Sequence, residues 1–257
     1  MNKETNNDDL NFLDEASGAG FEGLRSSDLS VPFLRVLQPN SPEVVEGDPA
    51  YIPGAKAGVF VNSLTKEIYG SSIELVPIKS EGIWLEYTPK VGDKRGEFKG
   101  RHAVGSVPVT GDPFEGMFRE DNGNEIRETM VFYCLVKGQE QGLPVVFSLT
   151  SSMIKHGKAL NSLIYSLRLP SGKQAPYFGG YWKLALSLNQ NDDGRWYNIG
   201  LRNVNAEFTG FVNKETFEIA VATRKMLDAG SVKTDFAQIG NEPAKAAITD
   251  GSDVKDY

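Results

Sequence analysis

Four short segments of this chain, Ile68 to Lys79, Ile83 to Thr88, Met130 to Lys137 and Pro144 to Thr150, are crowded with Val, Ile, Phe and Tyr and separated by Gly, Pro or charged loops. β-Branched and aromatic side chains suit a pleated surface, and short runs bounded by turn residues predict a mainly β, antiparallel domain. Two apolar runs precede them. Val31 to Leu37 is closed by Gln38-Pro39-Asn40-Ser41-Pro42, and Gly54 to Asn62 leads into a short strand. Residues 89–128 form a long excursion without clear regular structure, read as a functional or flexible loop.

Two stretches depart from the strand pattern. Near 151–167, Met153, Ile154, Leu160, Leu163, Ile164 and Leu167 recur at helical spacing, with Ser151 as candidate cap and Pro170 as stop. Lys155 and Lys158 fall on the wetter side of that inserted helix. Near 213–229, Asn213 is the candidate cap of a C-terminal helix whose stripe is Phe217, Ala220, Val221 and Leu227, ended by Gly230. Between the two, Asn191-Asp192-Asp193-Gly194 carries the signature of a hairpin turn.

Charge divides the chain further. Residues 1–28 hold seven acids against Lys3 and Arg25 and read as a flexible acidic arm, 29–229 as the folded body, and 230–257 as a disordered acidic tail. Within the body, residues 151–202 carry Lys155, Lys158, Arg168, Lys173, Lys183, Arg195 and Arg202 against only Asp192 and Asp193. The excursion adds Lys90, Lys94, Arg95, Lys99 and Arg101 against Asp93 and Glu97. Local cationic clusters on a chain of formal charge -7 suit a polyanionic partner.

Several chemistries lack a warrant in the residues. The single cysteine, Cys134, sits in an apolar run and reads as core; it allows no internal disulfide. The two histidines, His102 and His156, have no ligand-spaced partner, and no phosphate-cradle, dinucleotide or nucleophile-elbow string occurs. No cofactor, metal or catalytic activity is therefore expected. With no apolar run of about 18 residues and an acidic start, neither a membrane span nor a secretory signal is expected, which points to the cytoplasm. Glu97-Phe98-Lys99 has the carboxylate-x-lysine spacing of metal-dependent nucleases and keeps that reading open as a third alternative.

Side-chain alternation along strands locates a candidate site. On Tyr181 to Asn189, Trp182, Leu184, Leu186 and Leu188 share one face, while Tyr181, Lys183, Ala185, Ser187 and Asn189 share the other. On Arg195 to Arg202, Tyr197, Ile199 and Leu201 are expected to point inward, and Trp196, Asn198, Gly200 and Arg202 outward. The outer face then carries Tyr181, Lys183, Trp196 and Arg202, rings for unstacked bases and cations for phosphates. Arg195, Lys173, Tyr177, Phe178, Lys155, Lys158, Arg168, Lys94, Arg95, Lys99 and Arg101 are candidates to extend it. Trp84 is a further DNA-binding candidate, expected outward beside Glu86, because Ile83, Leu85 and Tyr87 share the apolar face.

Antiparallel strands interrupted by a helix, an aromatic and basic face, and the ending Asp250-Gly-Ser-Asp-Val-Lys-Asp-Tyr257 resemble phage-encoded single-stranded-DNA-binding proteins. The resemblance spans roughly Val31 to Tyr257 and is most recognisable in Val31 to Gln38, Val59 to Gly70 and Phe147 through Tyr197. It implies an OB-fold-like antiparallel barrel that coats exposed strands during phage DNA replication, recombination and repair, in the infected host's cytoplasm. It further implies that Asp250, Asp253, Asp256 and Tyr257 recruit polymerase, helicase or primase. A homo-oligomer stays open. The alternative from another class is a structural or protein-interaction protein, such as a virion component, with no DNA role.

Overall fold

Three short strands, β1 (Leu34–Val36), β2 (Phe60–Asn62) and β3 (Ile68–Gly70), open the computed structural model and pair antiparallel in that order. The structure describes residues 19, 22–23, 28–90, 96–112, 116–191, 194–200, 202–231 and 233–241. One residue after β3 comes β4 (Ser72–Tyr87), which merges two apolar runs that read as separate strands in the sequence. The merger has a plain cause. Ser80, Glu81 and Gly82 stay in the ladder, opposite Phe132, Val131 and Met130 of the returning strand β8.

The 89–128 excursion is not the irregular loop its sequence suggests. It forms β5 (Phe98–Ala103), β6 (Val109–Asp112), β7 (Gly116–Arg119) and the start of β8 (Glu125–Val136), followed by β9 (Val145–Thr150). Polar residues at alternate positions hid these strands from a reading based on apolar runs. After one 3-10 turn, Ser151–Met153, comes helix α1 (Ile154–Ser166). Then follow β10 (Gly180–Ala185), β11 (Ser187–Asn191), β12 (Gly194–Asn198), β13 (Ala206–Phe211), helix α2 (Lys214–Asp228) and a last 3-10 segment, Phe236–Asn241.

Eight strands make one sheet in the order β13-β10-β4-β8-β7-β6, with β5 on the far half of β4 and β9 on β8; β11 and β12 form a separate ribbon. The fold is mainly β, its strand pairs are antiparallel, and the sheets close no barrel among the described residues. Both faces of β4 are covered in its first half, which is why Leu75 to Ile78 reads as an unbroken apolar run. Ile73 and Leu75 pack with Phe132, Leu160, Ile164 and Trp182 on the α1 side, and Val76 and Ile78 pack with Leu135 and Ala220 on the α2 side. Burial pushes the Cys134 thiol pKa up within this core.

Both helices lie where periodicity puts them. Asn213 caps α2, its side chain accepting from Thr216 N–H at 2.8 Å. Ser151 does not cap α1: the intervening 3-10 turn makes Met153 the N-cap, and no side-chain hydrogen bond closes that end. The body also continues past residue 230. Lys233 bridges Ser30 in parallel, and Phe236 and Ile239 bury against Ile83, Leu85, Val131, Tyr133 and Val146. That half of the sheet needs an apolar cover, and this segment supplies it. Among the described residues no helix is long and apolar enough to cross a membrane.

Candidate nucleic-acid interface

The four residues expected to share one outer face do not lie on one sheet. Tyr181 and Lys183 lie on β10, inside the large sheet, whereas Trp196 lies on the β11–β12 ribbon and Arg202 beyond it. The strand breaks at Leu186, whose N–H donates to Ser71 O at 2.9 Å, and the alternation changes phase there. A one-residue slip sends each side chain to the opposite face. Leu188 is thus exposed and Asn189 buried, the reverse of the expected parity. Trp196 stands opposite Asn189 in the ladder and shares its inner face, half-buried, while Asn198 is buried too and Arg195 is exposed on the other face.

Other expected positions are engaged within the protein. Tyr181 is half-buried under α2; its hydroxyl donates to Glu140 Oε1 at 2.8 Å, and Lys137 Nζ stands 5.0 Å from its ring centroid. Lys183 is exposed, but Glu74 of β4 and Glu207 of β13 flank it in the ladder, so its charge is offset within the sheet. Phe178 packs on Phe217 at 5.4 Å. Trp84 is buried with Met117 and Ile126, because the strands of the excursion cover the face that the sequence left open. Lys99 pairs with Glu97 at 2.6 Å; Arg101 pairs with Glu81 at 2.9 Å and lies over the Phe236 ring. Lys94, Arg95, Leu201, Asp250, Asp253, Asp256 and Tyr257 lie outside the described residues, as does most of the 1–28 arm.

One cationic surface does assemble. Lys155, Lys158, Ser162 and Tyr165 follow one another at three, four and three residues and therefore share one face of α1. Ile154, His156, Gly157, Leu160 and Ile164 hold the opposite face against the sheet. Burial, reinforced by Lys155, lowers the His156 pKa. Arg168 closes the helix's far end, Nη1 donating to Tyr165 O at 2.9 Å and to Leu167 O at 3.2 Å. Lys173 projects from the tight turn that follows, where Leu169 N–H donates to Lys173 O at 2.8 Å. From Ser151 to Asn191 the sequence contains no acid, and among the described residues none of these four cations forms an ion pair.

Tyr165 is 69% exposed, an aromatic ring without packing to account for it. Beside it lies an open hollow of about 410 Å³ lined by Ser80, Asn161, Ser162, Tyr165 and Tyr177. Tyr177 O–H donates to Asn161 Oδ1 at 2.7 Å and Ser80 O–H donates to the same atom at 3.0 Å. Sequence reading missed Tyr165, although the signal was there: it interrupts the apolar stripe and falls seven residues after Lys158, on the wet side.

A second polar cluster sits at the other end of β4. The buried carboxylate of Glu86 accepts from His102 Nε2 at 2.6 Å, Arg119 Nη1 at 3.3 Å, Asn122 Nδ2 at 3.0 Å and Asn124 Nδ2 at 2.5 Å. Burial would raise its pKa, yet these donors together hold it below the usual carboxylate value. With every donor aimed at one acceptor, the cluster binds the β7–β8 turn to β4 and β5.

Fold and surface define a mainly β protein that carries an acid-free, cationic helix face. Residues 2–233 match the family of Pam3 phage gp34-like proteins, and the chain belongs to that family, which indicates a phage protein. No curated protein and no solved structure matches the chain.

Proposed function

We propose that the protein binds single-stranded DNA with little sequence preference, without catalysis, along the outer face of α1 and the turn after it. The observation that carries this reading is the row Lys155, Lys158 and exposed Tyr165 along one face of α1, continued by Arg168 at the helix end and Lys173 in the next turn, with no carboxylate between Ser151 and Asn191 in the sequence. Two of the lysines sit in the first turns of α1, where the helix dipole disfavours cations by a few tenths of a kcal/mol or more. The first turn holds no acid to offset them. Charges placed at a cost to the helix suit a ligand better than they suit stability. Rings for bases beside cations for phosphates are the chemistry of sequence-tolerant single-strand binding.

Coating of strands during phage replication, recombination and repair, and an OB-fold-like ancestry for the helix-interrupted antiparallel strands, belong to the same proposal. Recruitment of replication proteins by the acidic tail extends it. The test is fluorescence anisotropy of a labelled oligo(dT) titrated with the full chain at low salt. Lys155→Glu with Lys158→Glu should weaken binding roughly tenfold or more. Absence of binding by the unmodified protein, or binding indifferent to both reversals, refutes the assignment.

A further inference from the structure

We infer that the hollow beside Tyr165 seats one nucleobase, so that this face grips a strand by a base as well as by phosphates; the inference rests on the reading of α1 as the DNA-binding face. No charged side chain lines the hollow, so a phosphate has no partner inside it. Its walls are two phenol rings and three small polar side chains. A flat, neutral heterocycle with polar edges is the part of a nucleic acid that matches such a lining. At about 410 Å³ and open to solvent, it has room for one base entering from the surface.

The polar groups leave capacity for a base edge. Asn161 Oδ1 is already taken by Tyr177 and Ser80, which makes those two hydroxyls donors to it; Ser80 also stands within reach of Tyr177 Oη, and each hydroxyl oxygen keeps a lone pair to accept with. The amide nitrogen of Asn161 reaches only the sulfur of Met130, at 3.6 Å, a weak acceptor. Exocyclic amino and ring N–H groups of a base would meet Ser80 Oγ and Tyr177 Oη, and a base carbonyl would meet Asn161 Nδ2, while Tyr165 stacks. Lys158, two helical turns away, is about 10 Å along the axis, near enough for the adjoining backbone.

The experiment compares oligo(dT) with an abasic phosphodeoxyribose strand of equal length, using the full chain and the variants Tyr165→Ala, Tyr165→Phe and Lys155→Glu/Lys158→Glu. Tyr165→Ala should weaken oligo(dT) binding roughly five- to a hundred-fold and leave the abasic strand unchanged, with Tyr165→Phe near the unmodified value. The lysine reversals should weaken both strands alike. If Tyr165→Ala affects neither strand, or both equally, while the lysine reversals still weaken them, the base seat is overturned and the phosphate-binding face survives. If the unmodified chain binds neither strand, the reading of the face fails and the inference goes with it.

Discussion

Gln38 holds Tyr197 by both ends of its side-chain amide: Tyr197 N–H donates to Gln38 Oε1 at 2.8 Å, and Gln38 Nε2 donates to Tyr197 O at 3.0 Å. A side chain thereby does the work of a neighbouring strand for the β11–β12 ribbon, 159 residues away in sequence. The same tyrosine ring lies on Gly58, where an added Cβ would come within 2.5 Å of Cε1. Gln38 closes the Val31 to Leu37 run in the sequence, and nothing local announces its distant partner.

Replacing Gln38 by Ala should cost roughly 1–3 kcal/mol, because two backbone groups of Tyr197 lose their partners. Gly58→Ala should cost about as much for a different reason, since φ is +80° there and the new methyl meets the ring. Urea unfolding checks both. In a Tyr197→Ala background the steric part of Gly58→Ala should vanish and leave only the backbone strain; equal costs in the two backgrounds would show that ring and glycine are not coupled.

Glu86 predicts a defined acid response. Its folded pKa lies below the ordinary 4.5, so the ionised form is favoured by folding; its stabilising contribution is complete above that value and is lost as pH falls through the lowered one. Glu86→Gln should lower stability near neutrality by roughly 1–3 kcal/mol, by turning donors of Arg119 and His102 onto an amide N–H₂. The variant should also lose less stability than the unmodified protein as pH falls below the ordinary carboxylate value. Parallel pH profiles for the two proteins would remove Glu86 from the account.

How far the sequence disclosed this arrangement depends on the kind of signal. Both helices were legible because three-to-four spacing and an Asn cap are local, as were the apolar runs of β4, β8 and β9. Facing was legible only where a strand stayed unbroken. Trp182 and Leu184 are buried as parity requires, but the step at Leu186 reverses the phase for Leu188 and Asn189. Trp84 illustrates a second limit: alternation says which residues share a face, and the cover for that face came from β6 and β7, whose own strand signal is weak. The helix face around Lys155 was visible as charge, and Tyr165, seven residues after Lys158, shared it by spacing; what the structure adds is how far that ring is exposed.

Gly157 sets how closely α1 lies on the sheet, and so where that wet face stands. A Cβ there would meet Met130 Sδ at 2.7 Å, Leu149 Cδ1 at 3.2 Å and Phe132 Cε2 at 3.3 Å. Alanine normally gains about 1 kcal/mol over glycine within a helix. Overpacking costs about 1–3 kcal/mol; the Met130 side chain can turn aside, but Leu149 and Phe132 are held in the core, so the cost exceeds the helical gain. Gly157→Ala should therefore lower the melting temperature, where an exposed helical glycine would raise it. A higher melting temperature would mean that α1 stands farther from β8 and β9 than described.

Salt dependence discriminates between the compact α1 face and a more extended footprint. If Lys155, Lys158, Arg168 and Lys173 each neutralise one phosphate, the slope of log K against log salt for oligo(dT) should be about -2.8, at roughly -0.7 per phosphate. Were all seven cations of residues 151–202 engaged, the slope would approach about -5. Lys183 lies between Glu74 and Glu207, and Arg195 belongs to the separate ribbon, so the smaller value is expected. Lys155→Gln with Lys158→Gln should then reduce the slope by about 1.4, whereas Arg195→Gln should leave it unchanged. A slope near the larger figure that falls on Arg195→Gln would move the DNA path onto the ribbon.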